Sequence, residues 1–96
     1  MNVTHLLREK REDIQRLAAR HGVTRVRVFG SVARGDAAPG SDVDLLVETG
    51  EGTSPWFPAG LILDLEDLLG HPVEVVTERA LHPDLRERVL REARPL

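Results

Sequence analysis

Residues 42–48, with the sequence DVDLLVE, alternate between apolar and acidic side chains, the pattern of a β-strand with one buried face. The valines and leucine at odd positions would point into a core, whereas Asp42 and Asp44 would lie on the opposite face with Leu46. The chain has 96 residues, a length that supports one hydrophobic core. We therefore predict a single domain over residues 1–96, organised around this strand.

Hydrophobic spacing and turn residues predict the other elements. They are a helix over residues 4–20 capped by Thr4, a strand over 26–30, a helical turn over 31–34, a helix over 59–69, a strand over 72–77 and a last helix that begins at Pro83. A helical connection favours parallel pairing of the second and third strands, and a short connection favours antiparallel pairing of the first two. We predict an α/β (α+β) fold, in which a small three-stranded mixed sheet is flanked by about four helices.

The acidic side chains are concentrated in the middle of the chain. The net charge is −3, yet residues 35–78 contain ten Asp and Glu residues and no Lys or Arg. Solvated faces of loops and helices can explain most of these carboxylates. A cluster of them would instead suit a hard cation such as Mg²⁺, which prefers oxygen ligands.

The composition also excludes several classes of protein. The absence of cysteine rules out a disulfide scaffold, a Cys-ligated zinc site, an iron–sulfur site and a thiol nucleophile. No apolar run approaches the roughly 20 residues that span a bilayer, and the N-terminus lacks the pattern of a signal peptide. We therefore expect a soluble cytoplasmic protein with no membrane partner. The basic first helix lacks interleaved aromatic residues, so we do not expect direct nucleic-acid binding.

Trp56 and Phe57 are two of the three aromatic residues and lie in a predicted loop. One interpretation is that they fold back and cap the core. The other is that they are exposed as an anchor for a partner, since aromatic side chains are frequent at interface hot spots. The sequence leaves both open.

Gly30 ends the first predicted strand, and Ser31 begins a helical turn. Glycine lets the backbone approach a ligand closely. The free N–H groups at the start of a helical turn favour an anion such as phosphate. The alternative is an ordinary turn, which is the common explanation for Gly-Ser after a strand.

Asp42, Asp44 and Glu74 are the residues best suited to bind a cation. Residues two apart in a strand share a face at a spacing of about 6.6 Å, so both Asp carboxylates could bind one or two metal ions; alternatively, both face water. If the second and third strands are parallel neighbours, Glu74 lies beside the Asp pair. Three carboxylates without Lys or Arg nearby repel one another, and a divalent cation would relieve that repulsion. Two such ions would stabilise the attacking and leaving oxygens of a phosphoryl transfer.

Together these motifs resemble a known family. GSVARGDAAPGSDVDLLVE, residues 30–48, is similar to the signature of the DNA polymerase β-type nucleotidyltransferases, and more narrowly to the minimal nucleotidyltransferases (MNT) of prokaryotes. LEDLLGHPVEVVT, residues 65–77, resembles the helix and strand that follow in that family, so the likeness extends over nearly the whole chain. It implies a core similar to the palm of polymerase β. Arg34, within the signature, could contact phosphate or could lie at the surface.

The resemblance also implies specific roles for the motif residues. Gly30 and Ser31 would hold the nucleoside triphosphate. Asp42 and Asp44 would bind two Mg²⁺ ions. Glu74 would supply a third carboxylate, at a position where many relatives have Asp.

The leading hypothesis is a Mg²⁺-dependent nucleotidyltransferase. It would transfer a nucleoside monophosphate, AMP from ATP, to an acceptor hydroxyl and release pyrophosphate, with Glu74, or Asp44 and the second metal, helping to deprotonate the acceptor. The resemblance implies a partner, because minimal nucleotidyltransferases typically pair with a helical HEPN protein as toxin–antitoxin modules. In such modules the nucleotidyltransferase is the antitoxin and can AMPylate a Tyr of the toxin. Self-association into a homo-oligomer is also open.

Two other functions remain open. The chain could be a binding module that neutralises its partner by occlusion without transfer. It could also transfer a nucleotide to a small molecule such as an aminoglycoside. We rank the second alternative last, because we expect no second domain that would close a small-substrate pocket.

Overall fold

Five helices and four strands alternate along residues 2–96, the part of the chain described by a computed structural model. In chain order they are α1 (Val3–Glu9), α2 (Arg11–Arg20), β1 (Val23–Phe29), α3 (Gly30–Arg34), β2 (Val43–Thr49), α4 (Ala59–Leu69), β3 (Val73–Thr77), a 3-10 turn (Glu78–Ala80), α5 (Pro83–Glu92) and β4 (Arg94–Pro95). Within residues 2–96, no helix combines the length and the apolar character that crossing a membrane requires.

The strands form one mixed sheet in the order β3-β2-β1-β4. β1 and β2 are antiparallel, and β2 and β3 are parallel, as predicted. Val43, Leu45 and Val47 of β2 are buried in the main core, together with residues of the helices α1, α2 and α4. Each fully buried aliphatic side chain contributes about 1.5–3 kcal/mol, so β2 is held firmly at the centre of the sheet.

The opposite face of the sheet is apolar at one position of β2. Leu46 points to that face and is fully buried. Arg27 lies opposite Leu46 in the β1–β2 register, so it shares this face. Glu78 pairs with both Arg27 and Arg86 of α5, at 3.2 and 3.6 Å. These ion pairs link the 3-10 turn to β1 and to α5.

The N-terminal helix differs from the prediction. It is divided at Lys10 into α1 and α2, and its cap is Asn2 rather than Thr4, because the Asn2 side chain accepts the N–H of His5 at 2.8 Å. The N–H of Lys10 still bonds to Leu6, and its carbonyl still accepts from Ile14. Because the hydrogen bonds continue through the break, no Gly or Pro is needed there, and the sequence carries no signal for it.

The prediction of three strands was also wrong, since the sheet has a fourth strand. β4 consists of Arg94 and Pro95, which pair with Val28 and Arg27 of β1. A two-residue strand has no alternating pattern, and proline is tolerated there because β4 lies at the sheet edge. β1 also begins earlier than predicted, at Val23. The prediction missed this start because exposed polar residues precede the apolar half of the strand.

Trp56 and Phe57 have different environments. Phe57 packs against the main core, as the capping interpretation predicted. Trp56 is 81% exposed, which is the exposure that the anchor interpretation requires. Its contact with a partner remains a prediction.

Truncating Leu45 should destabilise the protein far more than truncating Leu63. Leu45 is 0% exposed and Leu63 is 67% exposed. We expect Leu45→Ala to cost about 2–5 kcal/mol of unfolding free energy, because it leaves a cavity in the core. Leu63→Ala should stay within about 0.5 kcal/mol. Urea denaturation of both variants measures the difference, and equal costs would contradict the assignment of β2 as the core strand.

Candidate active site

The carboxylates of Asp44 and Glu74 lie side by side on the face of the sheet opposite the main core. Asp44 is the direct partner of Glu74 in the parallel register of β2 and β3. Their neighbours Val43 and Val73 are buried, and successive side chains of a strand point to opposite faces. The sequence pattern and the predicted parallel pairing therefore placed Glu74 correctly beside Asp44.

This arrangement changes the acidity of Asp44. The pKa of Asp44 is raised from 3.8 to about 6. Burial is the largest cause, followed by the charge of Glu74, a hydrogen bond with Glu74 and the charge of Asp42. Arg34 opposes the shift. A carboxyl with this pKa holds a proton more readily than usual when no cation is near, because like charges in a partly buried site are costly. A cation beside the pair would relieve the same cost.

Gly30 brings the backbone directly over Asp44. Its φ of 74° lies in the left-handed region, and a Cβ at this position would overlap the Asp44 carboxylate. Glycine is therefore required here for two reasons, the backbone conformation and the close approach. The contact with Asp44 was not expected from the sequence, which had suggested a phosphate contact. Ser31 follows immediately in α3, so the turn and the carboxylate pair form one continuous site.

Asp42 lies just before β2 and is exposed. Its charge contributes to the raised pKa of Asp44, so it is near the pair. Within residues 2–96, however, no group of three or more His, Cys, Asp or Glu residues is placed so that it could hold a metal ion. The binding of metal by Asp42, Asp44 and Glu74 together remains a prediction.

The chemistry of the donors nevertheless fits Mg²⁺. Asp44 and Glu74 offer only carboxylate oxygens, and Mg²⁺ is usually bound by one or two carboxylates together with substrate phosphates. The mutual repulsion of the two carboxylates is the kind of interaction that a divalent cation relieves. A complete ligand set from the protein is therefore not required.

The guanidinium of Arg34 is hydrogen-bonded to two carboxylates. Its Nε donates to Asp36 at 3.3 Å, and its Nη1 donates to both carboxylate oxygens of Glu92 in α5, at 3.1 and 3.2 Å. Its predicted contact with phosphate therefore remains a prediction. Sequence reasoning missed Glu92, because it lies 58 residues beyond Arg34 and outside every motif.

A mixed sheet that presents adjacent carboxylates beside a Gly-Ser turn defines a nucleotidyltransferase core, and the comparisons agree. The nucleotidyltransferase domain family matches residues 7–96. A protein of Methanocaldococcus jannaschii assigned as a protein adenylyltransferase is 41% identical over 93 residues, which cover 97% of this chain and 96% of that protein. Protein adenylyltransferase MntA of Thermococcus cleftensis is 42% identical over 76 residues, which cover 79% of this chain and 77% of that protein.

Solved structures show the same relationship. A structure described as a minimal nucleotidyltransferase has a TM-score of 0.84 and 57% identity, and the match covers 97% of this chain and 95% of that one. A toxin–antitoxin structure with AMP-PNP shares the fold, with a TM-score of 0.73 and 21% identity over 88% of this chain and 69% of that one. The chain belongs to the minimal nucleotidyltransferases of the DNA polymerase β-type superfamily, as its motifs predicted.

Replacing Asp44 by Asn should stabilise the protein in metal-free buffer above pH 6. The unfolded chain loses this proton near pH 3.8, whereas the folded chain keeps it up to about pH 6. The contribution of Asp44 to stability therefore becomes less favourable as the pH rises from about 4 to about 6, and stays so above. We expect Asp44→Asn to gain about 1 kcal/mol at about pH 7.5, an amount reduced for partial exposure, and little at about pH 4.

Thermal denaturation in EDTA at both pH values measures this gain. Asp67→Asn on the exposed surface of α4 is the control and should show no pH-dependent gain. An Asp44→Asn variant that is less stable than the native chain at the higher pH would show that the two carboxylates do not repel each other as described.

A comparison of Gly30→Ala with Gly40→Ala should separate the stability cost of backbone strain from that of the contact with Asp44. Both glycines have positive φ, 74° and 82°, but a Cβ on Gly40 would meet open space. We expect Gly40→Ala to cost about 1–2 kcal/mol from strain alone. Gly30→Ala should cost more, because the methyl group also displaces the Asp44 carboxylate. Equal costs in urea denaturation would show that Gly30 does not constrain Asp44.

Proposed function

We propose that this chain transfers AMP from ATP to a hydroxyl group of a partner protein, in a reaction that requires Mg²⁺. The observation that carries the proposal is the pair of carboxylates Asp44 and Glu74, directly beside the turn that begins with Gly30 and Ser31. The relatives named as protein adenylyltransferases support adenylyl transfer and a protein acceptor.

In this proposal the turn binds the triphosphate, and the carboxylates bind the metal ion. Ser31 and the N–H groups of α3 contact the triphosphate, and Arg34 adds positive charge next to it. Asp42 and Asp44 hold the metal, with Glu74 as an additional ligand. Bound Mg²⁺ would neutralise the charge that develops on the phosphate oxygens.

The acceptor hydroxyl then attacks the α-phosphorus of ATP. A new P–O bond forms to the acceptor, the bond between the α-phosphorus and the bridging oxygen breaks, and pyrophosphate leaves. The proton of the hydroxyl passes to Glu74, which is exposed and therefore within reach of an acceptor that approaches from solvent. The protein contributes mainly position and charge, as is usual in phosphoryl transfer.

We further propose that the acceptor is a Tyr of a helical HEPN-type toxin and that this chain is its antitoxin. The support is the family resemblance, the relative MntA, which is 42% identical, and the fold shared with one chain of a toxin–antitoxin structure, MntA–HepT, at a TM-score of 0.67. We also propose that the protein is cytoplasmic, so the nucleotide and Mg²⁺ needed for the reaction are those of the cytoplasm.

Mg-ATP should raise the melting temperature of the native chain, because a ligand that binds the folded state stabilises it. At a ligand concentration about 100 times Kd, the gain is about 2.7 kcal/mol. Asp44→Asn should lose most of this gain, whereas Asp67→Asn should keep it. The assignment of the nucleotide site would be wrong if Asp44→Asn gained as much as the native chain.

Intact-mass spectrometry of a HEPN-type partner, incubated with Mg-ATP and each variant, tests the transfer itself. The native chain should add the mass of one adenylyl group to the partner. Asp42→Asn should add none and should still bind the partner, because the change removes a metal ligand and leaves the packed core intact. If the native chain binds the partner but adds no nucleotide, the occluding binding module is correct instead.

A further inference from the structure

The nucleotide-binding turn depends on the rest of the fold for its orientation. Helix α3, Gly30–Arg34, has five residues, and a helix of that length is not stable by itself. Val32 is its buried side chain. Its end is closed by Gly35, whose N–H donates to Val32, and by the N–H of Asp36, which donates to Ser31.

The charged anchor of this helix is Glu92. Arg34 donates to both Asp36 and Glu92. Asp36 belongs to the loop that follows α3, so it moves with the turn and cannot fix it. Glu92 belongs to α5 and therefore joins α3 to a separate element of the fold.

Glu92 is itself held in place by a second arginine. Arg88, one helical turn earlier, donates its Nε to Glu92 at 3.2 Å. The Glu92 side chain is 19% exposed, against 39% for Arg34, so Glu92 is the less exposed partner of this pair. Although burial opposes ionisation, the hydrogen bonds from Arg88 and Arg34 lower the pKa of Glu92, and it stays charged near neutral pH.

We propose that Glu92 is a positioning residue of the nucleotide site. By binding Arg34 it fixes α3, and with it Ser31. This inference rests on the proposed function, because it takes α3 as the turn that contacts the triphosphate. Glu92 itself touches neither the nucleotide nor the acceptor.

Amide hydrogen exchange tests the anchoring of α3 without any nucleotide. We expect Glu92→Gln to speed exchange at the amides of Gly35 and Asp36 about tenfold, because the turn that they close opens more often. Glu87→Gln is the matched control, since Glu87 is an exposed residue of the same helix and the change in charge is the same. It should leave these rates unchanged. Native rates in Glu92→Gln would overturn the proposal.

Calorimetric titration with Mg–AMP-PNP tests the effect on binding. We expect Glu92→Gln to raise Kd about tenfold and Arg88→Gln to raise it about twofold to threefold, with Glu87→Gln unchanged. Since Glu92 acts through Arg34, the double variant Arg34→Gln/Glu92→Gln should bind no more weakly than Arg34→Gln alone. If the two effects simply add, Glu92 does not act through Arg34 and the proposal is wrong.

The outcomes separate this inference from the proposed function. If the native chain does not bind Mg–AMP-PNP, the proposed function fails, and the role of Glu92 in the nucleotide site fails with it. If the native chain binds and Glu92→Gln binds equally well, only the role of Glu92 fails. If Glu92→Gln is too unstable to measure, Arg88→Gln must show the smaller increases in exchange rate and Kd, or the proposal is overturned.

Discussion

The parallel register of β2 and β3 places Asp44 beside Glu74, and the rest of the site depends on this contact. Two adjacent carboxylates repel each other, so these two side chains would not come together without other contacts. It is enforced by the opposite face of the same strands, where Val43, Leu45 and Val47 are buried at about 1.5–3 kcal/mol each. The core thus holds together a pair of charges whose mutual interaction is unfavourable. An unfavourable local interaction that the surrounding fold maintains is typical of functional sites.

Gly30 adds a second constraint, because it determines how the chain leaves β1. A side chain at this position would occupy the space of the Asp44 carboxylate. The backbone can therefore pass over the carboxylate pair and begin α3 at once. As a result, Ser31 of α3 directly follows the residue that approaches Asp44 of β2. The proposed function needs this arrangement to hold a phosphate and a metal ion together.

The sequence predicted the parts of this structure that depend on local pattern. Alternation in residues 42–48 identified the face that carries Asp44, and the helical connection to β3 was long enough to predict the parallel pair that places Glu74. Contacts between segments that are far apart in the sequence produce no local pattern, so they could not be predicted. The approach of Gly30 to Asp44 and the ion pair of Arg34 with Glu92 depend on how the elements pack, and the two-residue β4 forms because β1 has an open edge beside it.

The uneven charge of the sequence also has a structural explanation. Several acids of residues 35–78 pair with arginines of the flanking segments: Asp36 with Arg34, Glu48 with Arg25, and Glu78 with Arg27 and Arg86. In the part of the chain described here, no such ion pair is made by Asp42, Asp44 or Glu74. Arginines of the basic flanks therefore pair with part of the acids outside the proposed site, and in this part of the chain they form no ion pair with the acids within it. Unpaired carboxylates are the ones whose charge a bound divalent cation would compensate, so this division of charge supports the proposed Mg²⁺ site.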